Sequence, residues 1–292
     1  GCSWAGIGGG GLSRGSLPAR ILARVASDVA VITPCFNHGE FLAEAVASAI
    51  AQTGPGGPPD VVVIDDGSTD PATLAAIDGL PPEVKVVRQA NAGRAAARNA
   101  GVAATDAEYL LMNDADDLLP PGVITELRGA LEADPGAGFA YGKERNFGAW
   151  AGVIEFPSWD PFKELYRPIA WMGMVRREAF EQAGGFDPGI GGYEDWDLLL
   201  GLIEHGWGAA QIDSVGREYR RTESSALGGD RRRYRSLYRR LRHKHRELYR
   251  RSGELAAQSD LSALGKLTYR TFWAWRPVPA RIEQALYARR FK

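Results

Sequence analysis

Val61-Val62-Val63-Ile64-Asp65-Asp66-Gly67-Ser68-Thr69-Asp70-Pro71 is the stretch that decides the fold. Four β-branched residues in a row, without polar alternation, read as a strand buried on both faces, as in a parallel sheet covered by helices. Two carboxylates close the strand. Gly67 then suits a tight turn, with Asp70 as helix N-cap and Pro71 at the first helical position. A turn accounts for Asp70. It is an incomplete account of Asp65 and Asp66, because a strand-end carboxylate can accept from a base N–H or a ribose hydroxyl.

Outward from this stretch, strands and helices alternate. Val29 to Thr33 reads as a strand, Glu40 to Gln52 as a helix, Pro71 to Gly79 as a short helix and Val84 to Arg88 as a strand. Arg94 to Ala104 follows as a helix and Tyr109 to Met112 as a strand. That succession predicts an α/β fold with right-handed crossovers and functional loops at the strand C-termini. The second half is less regular. Helices are expected at Pro120 to Ala133, Phe180 to Ala183 and Trp196 to His205, a strand at Gly138 to Tyr141, and no clear period from Trp150 to Trp171.

Two acidic clusters carry the chemistry. Asn113-Asp114-Ala115-Asp116-Asp117 leaves the C-terminal end of a buried strand, where crowded carboxylates repel one another unless a cation sits among them. A hard ion such as Mg²⁺ or Mn²⁺ takes oxygen ligands and bridges substrate phosphates, which suggests a nucleotide-linked substrate. Glu194-Asp195-Trp196-Asp197 heads an apolar helix pattern and is suited to taking a proton.

In order along the chain stand Val31-Ile32-Thr33-Pro34-Cys35-Phe36-Asn37, Ile64 to Asp70, Asn91-Ala92-Gly93-Arg94 through Ala97-Arg98-Asn99-Ala100-Gly101, and Asn113 to Asp117. Gly184-Gly185-Phe186-Asp187 and Glu194 to Leu198 follow. With this ordered set, residues 29 to 221 resemble the family-2 glycosyltransferases of GT-A fold: a Rossmann-like, mostly parallel central sheet flanked by helices. The resemblance implies a nucleotide-sugar donor, a divalent cation, an acceptor hydroxyl on a glycan, lipid-linked or other molecule, and inversion at the anomeric carbon. It implies that Thr33, Pro34 and Phe36 line the base pocket, that Asp66 contacts the base, and that Arg94 or Arg98 lies near the nucleotide. Glu194 falls in the same donor site. Asp116 matches the metal contact of the family's Asp-X-Asp motif, Asp114 the ribose or an indirect metal contact, and Asp195 the general base. One departure is that Tyr219-Arg220-Arg221-Thr222-Glu223 lacks the His that many relatives carry there. Nucleotidyl transfer, or a nucleotide-sugar-binding scaffold without turnover, stays open as an alternative.

Other features bound the reading. Cys2 and Cys35 are too few and too far apart for a disulfide framework, and the four histidines show no zinc-ligand spacing. His38 reads as a turn residue. Trp159, Tyr166 and Trp171 are candidate sugar-stacking residues, with core packing the favoured reading. No run approaches the roughly 20 apolar residues that cross a bilayer, and no basic start precedes an apolar core, so the cytoplasm or the inner face of a membrane is the expected place. The start at Gly1-Cys2-Ser3, without Met, fits a processed product or a piece of something longer.

Net charge is −1, but from Asp230 onward 18 Lys/Arg face 5 Asp/Glu, which leaves 17 of the 35 basic and 31 of the 36 acidic residues to the rest. Three parts are expected: a tail at 1–27, a GT-A domain at 28–229 and a basic helical extension at 230–292. Tyr234, Leu237, Tyr238, Leu241, His245, Leu248 and Tyr249 recur at helical spacing between arginines. That stripe suits docking on the acidic domain. Tyr269 to Trp275 followed by Arg276 suits a peripheral membrane contact, and no nucleic-acid module is visible.

Overall fold

A computed structural model describes Gly1 and residues 27–54, 56–149, 151–168, 173–222 and 227–275, without side-chain detail at 227–232 and 275. The Gly-rich run and short helix expected before residue 27, together with Trp150, Trp171, Glu223 and Arg276, lie outside the described residues.

The expected alternation forms the first half of the fold. It runs β1 (Val29–Cys35), α1 (Leu42–Ile50), β2 (Asp60–Asp65), α2 (Pro71–Asp78), β3 (Lys85–Arg88), α3 (Arg94–Ala103) and β4 (Tyr109–Met112). After α4 (Val123–Ala133) come β5 (Ala137–Gly148), β6 (Gly152–Ile154), α5 (Pro161–Glu164), β7 (Met174–Arg176) and α6 (Arg177–Gln182). Then follow α7 (Glu194–Glu204), β8 (Gly208–Arg221), α8 (Leu227–Lys244), α9 (Arg246–Arg250), α10 (Ser252–Gln258) and α11 (Ala263–Trp275). The eight strands form one sheet in the order β3-β2-β1-β4-β7-β5-β6, with β8 along β5. Strands β1 to β4 are mutually parallel where they pair, β7 is antiparallel to both neighbours, and β5 and β8 are parallel.

Successive strand residues serve opposite faces, as the period of two requires. Val31, Val63 and Leu111 pack with Leu42, Val46, Ile77 and Leu127 under α1, α2 and α4. Ala30, Ile32, Val62, Ile64 and Leu110 pack with Ala97, Val102, Phe180 and Leu199 under α3, α6 and α7. Helix α3 sits so close that a Cβ on Gly101 would lie 2.3 Å from Ile32 Cγ2 and 2.7 Å from Ile64 Cδ1.

The second half differs from its sequence reading. β5 is longer than the strand expected at Gly138 to Tyr141, and β7 and β8 were not expected at all. The aperiodic stretch before Trp171 holds β6 and α5. The physical reason is that β5 and β8 carry charge into the interior. Glu144 and Asn146 are buried and meet Arg217 and Arg221 across the strand pair, with Arg221 Nε 2.5 Å from Asn146 Oδ1 and Nη2 3.3 Å from Glu144 Oε1. A strand of this kind has no apolar signature.

A third core cluster joins the C-terminal helices to the rest. Trp196 of α7, fully buried, stacks on Tyr234 and Tyr238 of α8 at ring separations of 6.3 and 5.7 Å, and its indole N–H donates to Glu164 O at 2.8 Å. Phe162, Tyr166, Leu241, Leu248 and Leu255 complete the cluster. The stripe on α8 and α9 therefore faces α5 and α7. Among the described residues no helix is long and apolar enough to cross a membrane.

Candidate active site

The C-terminal ends of β1, β2 and β4 open on one side, and the loops there are stitched together. Asn37 holds a left-handed backbone, φ 48°, which Asn tolerates better than most residues. Its Oδ1 accepts from the N–H groups of Thr69 and Asp70 at 2.8 and 2.9 Å, and its own N–H donates to Ser68 Oγ. Asp65 Oδ1 accepts from Ser68 N–H at 2.8 Å, closing the turn that Gly67 makes at φ 75°. Phe36 projects outward, 48% exposed, while Thr33 is fully buried with its hydroxyl unpartnered and Pro34 is half-buried.

Asp66 has a task the sequence did not disclose. It is buried, and it accepts from Gln89 Nε2 and Ala92 N–H on Oδ1 and from Gly93 N–H on Oδ2, at 2.7 to 2.8 Å. Its carboxylate thus organises the β3–α3 loop.

The two acidic clusters come together through one arginine. Arg98, on α3 and 8% exposed, reaches Asp114 at 2.7 Å and Glu194 at 3.1 Å, and Arg94 adds a contact to Glu194 at 3.2 Å. Burial would lower the Arg98 pKa and raise that of Asp114. Their attraction outweighs it, so the guanidinium lies above its ordinary value and the carboxyl below. Asp114 is accordingly occupied as a partner of Arg98.

Asp116 is differently placed. Burial, and then the charge of Asp114, push its pKa up, and its nearest basic group is the His38 imidazole, 3.5 Å away. A carboxylate whose surroundings disfavour its charge gains from a bound cation. Among the described residues no group of three or more His, Cys, Asp or Glu could enclose a metal. Mg²⁺ or Mn²⁺ nevertheless needs only one or two carboxylates when substrate phosphates supply the remaining oxygens. Asp116, partly exposed beside Asp114, fits that open kind of site. Asp117 turns inward: wholly buried, its pKa pushed up to about 8 by burial against the pull of Arg217, it accepts from Arg220 N–H at 3.1 Å. Arg220 Nε donates to Asp116 O at 2.9 Å, while its guanidinium lies over Phe41 and Phe147.

Across the cleft, Asp195 is exposed at the first turn of α7 and accepts from Trp196 N–H at 2.8 Å. Tyr193, just before this helix, has φ 58°; with Asn37 it makes up the non-glycine positive-φ residues among those described. Both flank the cleft, where backbone strain is characteristic of functional sites.

The sequence reading missed His38, Tyr193 and Arg220. A His five residues after a strand and an Arg inside a charged strand carry no signal until the fold sets them beside Asp116. Tyr166 packs in the third cluster and Trp159 sits edge-on to Phe139 at 5.0 Å, so both belong to packing.

Residues 30–183 match the model of glycosyl transferase family 2, and the chain belongs to that family. Among curated relatives, the succinoglycan biosynthesis protein ExoU of Rhizobium meliloti (strain 1021) is 40% identical over 109 residues, covering 36% of this chain and 31% of that protein. The chain spans about a third of the length of the first curated relatives it matches. The fold resembles S. aureus TarS 1-349 in complex with UDP-GlcNAc (TM-score 0.59, 19% identity, covering 83% of this chain and 70% of that one). It also resembles a Pyrobaculum calidifontis mannosyltransferase in complex with GDP-Man and Mn²⁺ (TM-score 0.53, 20% identity, covering 86% and 70%).

Proposed function

We propose that this chain transfers a sugar from a nucleoside-diphosphate sugar to an acceptor hydroxyl, with inversion by direct displacement. The observation that carries this reading is the Arg98 bridge, which draws the strand-end carboxylates and the head of α7 to one cleft. The family, and the nucleotide sugars bound to the two structural neighbours, support it.

Phe36 offers an exposed ring for stacking a base, and Arg94 and Arg98 place positive charge where a diphosphate would lie. Asp116, helped by Asp114, would hold a divalent cation. Such a cation, when bound, stabilises the charge that develops on the leaving diphosphate without proton transfer. Asp195 would take the proton of the acceptor hydroxyl as it attacks the anomeric carbon from the opposite side. Glu194, held by two arginines, fixes the turn from which Asp195 projects.

The test is nucleoside-diphosphate release from UDP-, GDP- and dTDP-sugars with Mn²⁺ or Mg²⁺ and a panel of acceptors. Asp195→Asn is expected to bind donor but to lose about 10²- to 10⁴-fold in transfer. Pyrophosphate release would point to nucleotidyl transfer instead. Donor binding without turnover by the native chain would point to a scaffold.

A peripheral membrane contact narrows to the outer side of α11, where Leu264, Leu267 and Phe272 are 70%, 52% and 41% exposed while Tyr269 and Trp273 pack inward. This would keep the protein at the inner face of the membrane. Replacing the three by Ser should abolish flotation with anionic vesicles; unchanged flotation would remove the idea.

A further inference from the structure

Between α8 and the loop at residues 187–191 lies an open cleft of about 510 Å³, lined by Asp187, Gly189, Ile190, Ser236, Arg239, Arg240, His243 and Lys244. A second cleft, about 200 Å³, shares Asp187 and Ile190 with it and continues to Arg94 and Glu194. The two clefts therefore meet at the glycine-rich loop that leads into α7, the helix whose first turn carries Glu194 and Asp195. Arg233 and Arg240 hold that loop by donating to Gly191 O and Ile190 O at 2.9 and 3.2 Å.

Charge inside the cleft is one-sided. Lys244 neutralises Asp187 at 2.8 Å and also reaches Asp197 at 2.7 Å. The Lys244 contact, ahead of burial, holds the Asp187 carboxyl below its ordinary pKa. Among the described residues, Arg239, Arg240 and His243 have no carboxylate partner; Arg239 Nε donates to Arg235 O at 3.3 Å and Ser236 Oγ to Arg233 O at 2.8 Å. A basic helix face that served only to meet water would be convex and would spread its charge. This one borders an open cleft against the 187–191 loop and gathers two guanidiniums and an imidazole, donors of the kind that recognise phosphate.

We infer that this cleft is an acceptor subsite for a phosphate group: the sugar acceptor carries a phosphate or diphosphate that seats on Arg239, Arg240 and His243 while its hydroxyl reaches Asp195. The inference rests on the transferase reading for the word acceptor, and on the cleft alone for the phosphate. The phosphate can come from a soluble phosphorylated glycan or from a prenyl-diphosphate-linked one.

With four histidines in the chain, the His243 ring resonances can be assigned by comparison with His243→Gln, and they report on the cleft without turnover. With UDP and Mn²⁺ present to fill the donor site, α-glucose 1-phosphate is expected to shift them and methyl glucoside to leave them in place. Arg239→Ser should weaken that response at least tenfold, and should raise KM for a phosphate-bearing acceptor more than for its neutral counterpart. Phosphatidylcholine vesicles carrying a prenyl-diphosphate sugar, if they act at lower concentration than glucose 1-phosphate, assign the lipid-linked source; the reverse order assigns the soluble one. A His243 signal unmoved by both phosphates, or an undiminished response in Arg239→Ser, overturns the subsite. Absent nucleoside-diphosphate release with every donor would instead overturn the transferase reading, and the His243 titration would still decide the cleft.

Discussion

The half of the sheet formed by β1 to β4 and the half formed by β5 to β8 are built on opposite plans. The first is apolar and parallel, and its chemistry sits where the strands end. The second carries Glu144, Asn146, Arg217 and Arg221 within its strands, and it braces the loop of the first half through Asp117 and Arg220. The lesson is that the acidic loop at residues 113–117 is positioned from two sides, by local strand geometry and by a distant ionic network.

The largest effect expected from breaking this arrangement is at Trp196. Truncation to Ala empties the centre of the cluster that joins α7 to α8 and should cost about 3–5 kcal/mol of stability, with loss of transfer because Asp195 is the neighbouring residue; denaturant unfolding measures it. Arg217→Met comes next. It leaves Asp117 buried without its arginine and takes one of two arginines from Glu144, for a loss of about 3 kcal/mol or more, and thermal melts should show the loss growing as pH rises through about 8, where Asp117 ionises in the native chain and stays protonated in the variant. Asp66→Leu should cost about 1–3 kcal/mol, since two backbone N–H groups of the β3–α3 loop lose their acceptor. It sharpens the comparison because it perturbs the first half alone.

The smallest effect is a pH dependence. Burial would lower the His245 pKa, but bonds to Asp197 at 2.9 Å and Glu204 at 3.0 Å raise it overall. A raised folded pKa means that the His245 contribution is fully present below the unfolded value of 6.5 and is lost as pH rises through the folded value. The difference in melting temperature between the native chain and His245→Gln should therefore shrink as pH rises above 6.5; a difference that grows would contradict it.

The same contrast explains what the sequence disclosed. Runs such as Val61 to Ile64 and Tyr109 to Met112 announce buried parallel strands, and the carboxylates after them announce a site. β8, reading Gln211-Ile212-Asp213-Ser214-Val215-Gly216-Arg217-Glu218-Tyr219, hides its strand behind charges whose partners lie some 70 residues earlier, as Arg217 and Glu144 illustrate. For the site, the pairing of Arg98 with both acidic clusters, the His38–Asp116 contact and the inward turn of Asp66 depend on tertiary distance, which no spacing encodes.

The central claim is that the two acidic clusters have separate tasks, the strand end holding donor and cation and the head of α7 holding a base. Calorimetric titration of the native chain, Asp116→Asn and Asp195→Asn with donor in the presence and absence of Mn²⁺ tests it directly. The account predicts metal-dependent donor binding that is lost in Asp116→Asn and kept within a few-fold in Asp195→Asn. Donor binding that survives Asp116→Asn, or that is abolished by Asp195→Asn, would contradict it.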